Sequence, residues 1–418
     1  MKLLVISSIY PGGGTPNNFT PVVHYFVKEW VKMGYDVRVI HTSAYYPRLY
    51  YKIPRWLRNF LQDIVGFALP ESRLNQELTY DYEGVKVYRI PMFKVMPMRN
   101  YTEKVLEKAC RKADRYIQEN KFQPEHIISH WHNPQLAMMS FLKERIGAKA
   151  TLVLHGCPSK LDRLYSDGRK MFGNVDVWGF RSLRIKREFE QRYGEPRFSF
   201  ICFSGIPSSF TIKPIVRDGS FHDRYVQVGL LIKRKHPQES IEALCGEYGD
   251  EEFSFDIVGD GPLLERLSQY IDKEKKSKEV KLHGRRPRTE VIKLLDRADV
   301  FILISKKEAF GLVYIEAMAR GCIVVASKGE GMDGIIEDGV NGLFCEAGNT
   351  NMLAGVIHRI RTMSPEQRSS ISQKAIETSL KLTDSAVAKD YIDTVNRFSD
   401  IIKAAPNDGS QHFHSIIL

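Results

Sequence analysis

The 418-residue chain has no cysteine pair at metal-ligand spacing, no Asp-x-Asp motif and no apolar run long enough to cross a membrane. Its six cysteines (Cys110, Cys157, Cys202, Cys245, Cys322 and Cys345) are scattered, which excludes a zinc finger or a C-x-x-C redox site. They read as small core residues of a reducing cytosol. The nearest approaches to Asp-x-Asp, Asp81-x-Glu83 and Asp250-x-Glu252, read as surface turns. Any membrane role is therefore peripheral. The apolar opening from Met1 to Ile9 runs at once into Pro11 and three glycines, so it reads as a buried strand and not as a signal segment with a cleavage site. A net charge of +11 calls for an anionic partner. The basic residues are spread along the chain and no nucleic-acid module is present, so nucleic acid ranks below phosphorylated substrate and anionic lipid.

What is present describes an ordinary globular protein, 43% apolar and 27% charged, long enough for two domains with their own cores. The first half opens as strand (Leu3 to Ser7), glycine turn (Gly12, Gly13, Gly14), helix (Val22 to Met33) and strand (Val37 to His41). Val23, Phe26, Val27, Trp30 and Val31 fall at helical spacing, and Gly34 supplies a stop. Further strands are expected at Val85 to Ile90, Ile127 to Ser129, Thr151 to Leu154 and Phe198 to Phe203, with a helix around Lys104 to Asn120. This alternation argues for a parallel sheet covered on both faces.

Between Tyr45 and Pro70 the composition changes. Trp56, Leu57, Phe60, Leu61, Ile64 and Val65 make one apolar face with Arg55, Arg58, Asn59 and Gln62 opposite, a pattern that suits a helix in a membrane interface and equally a helix packed on its own domain.

A second α/β pattern begins at Tyr225. Strands Tyr225 to Leu230, Phe253 to Val258, Val280 to His283, Val300 to Ile304 and Cys322 to Ala326 are separated by helices from Gln238, Pro262, Thr289 and Leu312. Helices from Asn351 and Pro365 follow, then one over Asp384 to Lys403 and a polar end expected to fray. Four features stand at strand ends. Lys235 lies in a basic turn, Ile232 to Pro237, from which it could reach a diphosphate. Val258-Gly259-Asp260-Gly261-Pro262 is a tight turn, structural by itself, with Pro262 at a first helical position. His283-Gly284-Arg285 puts a glycine where backbone can approach a planar ring. In I-S-K-K-E-A-F-G-L-V-Y-I-E, Glu308 and Glu316 bracket a helix start whose free amides suit phosphate oxygens, while a carboxylate on either side suits hydroxyls. Phosphate flanked by hydroxyls describes a nucleotide sugar, although for the two acids taken alone a solvated loop acid and an ordinary helix glutamate is the favoured reading.

The order and spacing of these features closely resemble glycosyltransferase family 4, retaining sugar transferases of the GT-B fold. The resemblance is most specific from Gly229 to Gly348, through E-A-F-G-L-V-Y-I-E-A-M-A-R-G-C-I-V-V-A-S and G-I-I-E-D-G-V-N-G-L-F, and extends to S-G-I-P-S-S-F at the domain junction and L-V-L-H-G at Leu152 to Gly156. It implies two Rossmann-like doubly wound domains facing across a cleft. Residues 1–205 would bind acceptor, 206–383 would bind donor, helix 384–404 would cross back to the first domain, and 405–418 would be a tail. It implies that Glu316 accepts from the ribose hydroxyls, that Glu308 contacts the transferred sugar, and that Lys235 binds the diphosphate. Phe310, Gly311, Leu312 and Val313 would offer backbone amides, with Gly229, Arg234, Gly284 and Arg285 completing the donor site. His155 would contact the donor sugar across the cleft, and Gly12, Gly13 and Gly14 would carry the acceptor. One departure stands out: Leu230 occupies the place of a phosphate-binding arginine, for which Lys233, Arg234 or Arg285 would substitute. His236 likewise replaces a glycine.

The function implied is retaining transfer of a hexose from a nucleoside-diphosphate sugar to a glycan or lipid-linked glycan in bacterial surface polysaccharide assembly. The chemistry is expected to need no cofactor or metal. The location is expected to be cytoplasmic, with 52–68 able to meet the inner face of an anionic membrane. A non-catalytic nucleotide-sugar binder and a GT-B epimerase or phosphorylase are the competing readings.

Overall fold

The computed structural model describes the whole chain except residues 16–20, 55–56, 59–60, 62–71, 98, 158, 160, 166–167, 212–214, 216, 405–413 and 416–418. Most of the 52–68 stretch, and with it the suggested interfacial helix, therefore lies outside the described residues, as does most of the tail.

The chain forms two compact units, with breaks at Gly205/Ile206 and Thr383/Asp384. The first is built from β1 (Lys2–Ser7), α1 (Val22–Lys32), β2 (Asp36–Tyr45), β3 (Leu78–Tyr82), β4 (Val85–Phe93), α2 (Glu103–Glu119), β5 (His126–His130), α3 (Gln135–Ile146), β6 (Lys149–Leu154), α4 (Gly168–Gly173), β7 (Val177–Phe180), α5 (Leu183–Tyr193) and β8 (Phe198–Ile201). Its strands run in the order β8-β7-β6-β5-β1-β2-β4-β3. All neighbours are parallel except β3 and β4. Leu3, Leu4, Val5 and Ile6 are all fully buried, as a central parallel strand covered on both faces requires.

The second unit comprises β9 (Arg224–Val228), α6 (Pro237–Tyr248), β10 (Ser254–Val258), α7 (Leu264–Lys273), β11 (Val280–Gly284), α8 (Arg288–Arg297), β12 (Val300–Leu303), α9 (Leu312–Ala319), β13 (Ile323–Ser327), β14 (Leu343–Cys345), α10 (Thr350–Thr362) and α11 (Pro365–Leu380). Its sheet, in the order β11-β10-β9-β12-β13-β14, is parallel throughout. The last helix, α12 (Asp384–Ala404), belongs to the first unit. There the indole of the buried Trp30 donates to the Ala388 carbonyl at 2.8 Å, and Tyr391 meets the rings of Phe26 and Trp30 edge-on. His414–Ser415 add a short strand beside β8.

The structure corrects the expected elements at several points. The antiparallel β3 takes in Asp81 and breaks the purely parallel pattern; only Glu83, at φ 50°, is in the turn. The strand β9 ends before Gly229 and Leu230. The helix α7 begins at Leu264, so Pro262 lies in the preceding turn and not at a first helical position. Four of the six cysteines are buried, but Cys157 and Cys245 are half-buried, and all six are free thiols. Among the described residues no helix is long and apolar enough to cross a membrane.

The turn after β10 is set by backbone crowding. A Cβ on Gly259, at φ 151°, would lie 1.8 Å from the Gly229 carbonyl oxygen, and one on Gly261 2.5 Å from that of Leu231. Gly147 closes α3 in a left-handed conformation (φ 77°) but has open space at the Cβ position. Gly259→Ala is therefore expected to destabilise by about 3 kcal/mol. Gly147→Ala should cost about 1 kcal/mol, the left-handed penalty alone. Denaturant unfolding of the two variants side by side checks the difference; equal losses would contradict it.

Candidate active site

In the second unit the chain order reverses between β9 and β12, and open α/β sheets bind ligands beyond the carboxyl ends of their strands at such a point. Two loops flank it. After β9 the chain passes Gly229 and Leu230 into a tight 3-10 turn, Lys233–Lys235, and enters α6 at Pro237. After β12 it passes Ser305 and Glu308 to Gly311 and enters α9. The loops are joined directly, because the Lys306 amide donates to the Arg234 carbonyl at 2.7 Å.

Lys235 and Glu308 meet at this junction. Their side chains form a direct ion pair, and each is only 11% exposed. Ser305 Oγ donates to the same Glu308 oxygen at 2.9 Å, and an Arg234 guanidinium nitrogen lies 4.0 Å from it. Burial alone would raise the Glu308 carboxyl. The Lys235 ammonium, its hydrogen bond, the Arg234 guanidinium and the Ser305 hydroxyl outweigh burial and bring it below its ordinary value. Two further groups hold the turn in place. The Glu308 amide donates to the Glu330 carboxylate at 2.9 Å, and the buried Gln227 amide donates to the Lys235 carbonyl at 3.2 Å.

The start of α9 follows from Gly311. It adopts φ 89° and ψ 68°, and a Cβ there would lie 2.4 Å from the Tyr314 ring. Only glycine fits the position. The Tyr314 hydroxyl donates to the Leu303 carbonyl at 2.7 Å, pinning the helix back on β12. Leu312 and Val313 thus occupy the first helical turn, where backbone amides point out of the helix. Phe310 is buried just before it. Glu316, in the next turn, is 8% exposed and forms an ion pair with Arg288, the first residue of α8, whose guanidinium also lies 4.9 Å from the Phe210 ring centre. Burial raises the Glu316 carboxyl, and Arg288 offsets part of that rise.

The structure therefore brings together Lys235, Arg234 and Glu308 around one carboxylate, with Gly311, Leu312, Val313 and Glu316 on the adjoining helix. Gly229 and Gly284 stand at the ends of the two strands that flank β10, where the Gly229 amide donates to the Val258 carbonyl and the Gly259 amide to the Gly284 carbonyl, both at 2.9 Å, and Arg285 directly follows β11. Leu230 is over a third exposed, at 36%. His236 adopts φ 51° and ψ 45°, a left-handed backbone that glycine meets without steric cost and histidine at about 1–2 kcal/mol. His155 and Gly12 to Gly14 belong to the first unit. His155 Nε2 lies 3.1 Å from His130 Nδ1, its ring stacks on Trp131 at 4.0 Å, and burial holds it well below the usual histidine range. Gly12, Gly13 and Gly14 all have positive φ, and Tyr80 and Tyr82 occupy the space where a side chain on Gly12 would go. Sequence reasoning missed Arg288, Ser305, Glu330 and Gln227, because each acts through a contact distant in sequence or through a common polar residue with no motif of its own.

The Lys235–Glu308 pair yields a pH-dependent test. Because the folded carboxyl lies below its unfolded value of about 4.5, the stabilisation is present above that pH and lost as pH falls through the folded value. Glu308→Gln should destabilise by about 3 kcal/mol at neutral pH by leaving Lys235 buried and unpaired. The difference from the native chain should shrink below about pH 4.5. Adding Lys235→Met should restore most of the loss. Thermal unfolding across pH checks this, and a pH-independent difference would contradict it.

The second unit also matches known proteins. Residues 222–378 match the family model described as glycosyl transferases group 1. The chain is 24% identical to the uncharacterized glycosyltransferase MJ1178 of Methanocaldococcus jannaschii over 73% of its length and 85% of that protein's. It is 29% identical to the alpha-monoglucosyldiacylglycerol synthase of Acholeplasma laidlawii over 47% of its length and 54% of that protein's. The solved structure of Anabaena HepE in complex with UDP shares the fold, with a TM-score of 0.65 at 16% identity, covering 95% of this chain and all of that one. The glycosyl transferases group 1 match thus lies within the second unit, and over most of its length the chain is similar to a glycosyltransferase.

Proposed function

We propose that the protein is a retaining hexosyltransferase that takes a nucleoside-diphosphate sugar in its second unit and passes the sugar to a glycan or lipid-linked glycan in surface polysaccharide assembly. The observation that carries this reading is the convergence of Lys235 and Arg234 on Glu308 beside the start of α9. In this reading the donor's diphosphate takes the place of the Glu308 carboxylate on Lys235, with Arg234 supplying the second cation that Leu230 does not. The amides of Leu312 and Val313 meet the phosphate oxygens, Glu316 turns from Arg288 to the ribose hydroxyls, and Glu308 is released toward the sugar. Phe310, Gly311, Gly229, Gly284 and Arg285 frame the donor. Negative charge on the departing nucleoside diphosphate is then met by positioned donors, and no metal is needed.

His155 in this reading contacts the donor sugar as a neutral ring, since burial opposes its protonation. The loop at Gly12 to Gly14 carries the acceptor hydroxyl, and attack on the sugar face from which the diphosphate leaves retains the anomeric configuration. The relative named as a glycolipid synthase and the neighbour solved with UDP support a lipid-linked acceptor and a nucleotide donor. The basic amphipathic stretch 52–68 supports a location at the cytoplasmic face of an anionic membrane.

A hydrolysis and transfer assay over UDP-, GDP- and ADP-hexoses tests the reading. Lys235→Ala is expected to lower kcat/KM by about 10²-fold, the loss typical of one charge-stabilising donor. Glu316→Ala should act mainly through donor KM, and activity should persist in EDTA. Full activity in both variants refutes the site; binding without turnover favours a non-catalytic binder, and sugar interconversion without acceptor favours an epimerase.

A further inference from the structure

The first unit has its own switch point. Its strands run β5-β6-β7-β8 to one side and β1-β2-β4 to the other, so chain order reverses between β1 and β5. The loops beyond these two strands are Ser8 to Thr15 and Trp131 to Pro134. They are tied together, because the buried Gln135 amide engages the hydroxyls of both Ser8 and Thr42. Neither loop contains Lys or Arg of its own, the Arg89 guanidinium that reaches the first of them is engaged by the Gly13 carbonyl, and Ser8, Thr42 and Gln135 offer neutral hydrogen-bonding groups suited to a hydroxylated ligand.

Trp131 occupies this edge with an unusual backbone. Its φ is 70°, a region that a bulky aromatic residue rarely enters and that marks functional sites when surrounding structure enforces it. Here the enforcement is visible. The Trp131 amide donates to the Val153 carbonyl at 3.0 Å, and the next turn closes through Leu136 N to His132 O at 3.0 Å. One face of the indole stacks on His155, 4.0 Å between ring centres and 17° between planes. His155 is backed by His130 at 3.1 Å, and His130 Nε2 lies 3.5 Å from the Tyr391 hydroxyl of α12. The ring is thus held from behind by three buried or half-buried side chains in series. It is nevertheless only half-buried, and its indole N–H makes no hydrogen bond among the described residues. Asn133 stands next in the loop, oriented by Asn100 at 2.9 Å and by the Tyr165 hydroxyl at 2.6 Å.

A rigid indole with a free donor and adjacent amide and imidazole groups matches the chemistry of a pyranose ring, which has an apolar C–H face and a rim of hydroxyls. We propose that Trp131 is the stacking platform for a pyranose of the acceptor, with His132 and Asn133 hydrogen-bonding the ring hydroxyls. The word acceptor rests on the transferase reading; the sugar platform does not.

Intrinsic fluorescence of the full chain tests it without any donor. Trp30 and Trp178 are fully or nearly fully buried, and the titrations are run in a Trp56→Phe background, so a ligand on Trp131 should dominate any response. Methyl glycosides of glucose, galactose, mannose and N-acetylglucosamine are titrated, with sorbitol as an acyclic control. At least one pyranoside should give a saturable emission change that sorbitol does not, and Trp131→Phe should abolish that change. Saturation-transfer NMR with the same sugar should show binding kept within about threefold in Trp131→Phe and weakened at least about fivefold in Trp131→Ala, the range of an aromatic contact. No response to any pyranoside, an unchanged response in Trp131→Phe, or equal binding in Trp131→Ala overturns the proposal. Absence of transferase activity alongside sugar binding would sink the donor reading and leave the platform standing.

Discussion

The buried ion pair of Lys235 with Glu308 organises the second unit's site. Taking two charges out of water costs several kcal/mol per ion, so such a pair is a poor way to gain stability alone. Its geometry explains its presence. It spans the two loops at the switch point, where the Lys306 amide and the Arg234 carbonyl already join them. Arg234, Ser305, Glu330 and Gln227 then fix the two partners from different elements. With both loops fixed, Gly311 can launch α9 with its first amides beside the pair.

The second acid follows the same logic one helical turn away. Glu316 is buried, and Arg288 supplies the charge that makes burial tolerable. Each acid that the functional reading assigns to the donor therefore already has a cationic partner that a ligand can displace or share. In the first unit the organising chain is uncharged. Tyr391, His130, His155 and Trp131 follow one another from the last helix to the loop after β5, and burial keeps both imidazoles neutral.

Much of the architecture was legible in the sequence because it rests on local signals. Central parallel strands are continuous apolar runs, and glycines punctuate their ends, so β1, β4, β6 and β12 were located to within a few residues. The helix start at Leu312 was legible because Gly311 has to be glycine. Less was legible where non-local pairing decides. The strand β3 is half-exposed and polar, and it exists because it pairs with β4. The residue Pro262 looked like a helix start, but the close approach of Gly259 and Gly261 to neighbouring backbone prolongs the turn. Arg288 and Glu330 reach the site across 28 and 22 residues of sequence and carry no local pattern. Leu230 read as a missing cation; that Arg234 approaches the same carboxylate as Lys235 follows only from the tight turn that carries both.

The central claim is that the ligand-free pair holds the place of a phosphate: Lys235 is occupied by Glu308 until a diphosphate arrives. Calorimetric titration of UDP, GDP and ADP into the native chain and Glu308→Gln tests it most directly. Removing the carboxylate frees Lys235 and removes a negative charge facing the incoming phosphates. The account predicts that Glu308→Gln binds the preferred nucleotide at least about threefold more tightly, a modest surface-to-buried charge effect. Unchanged or weaker binding by the variant would contradict it.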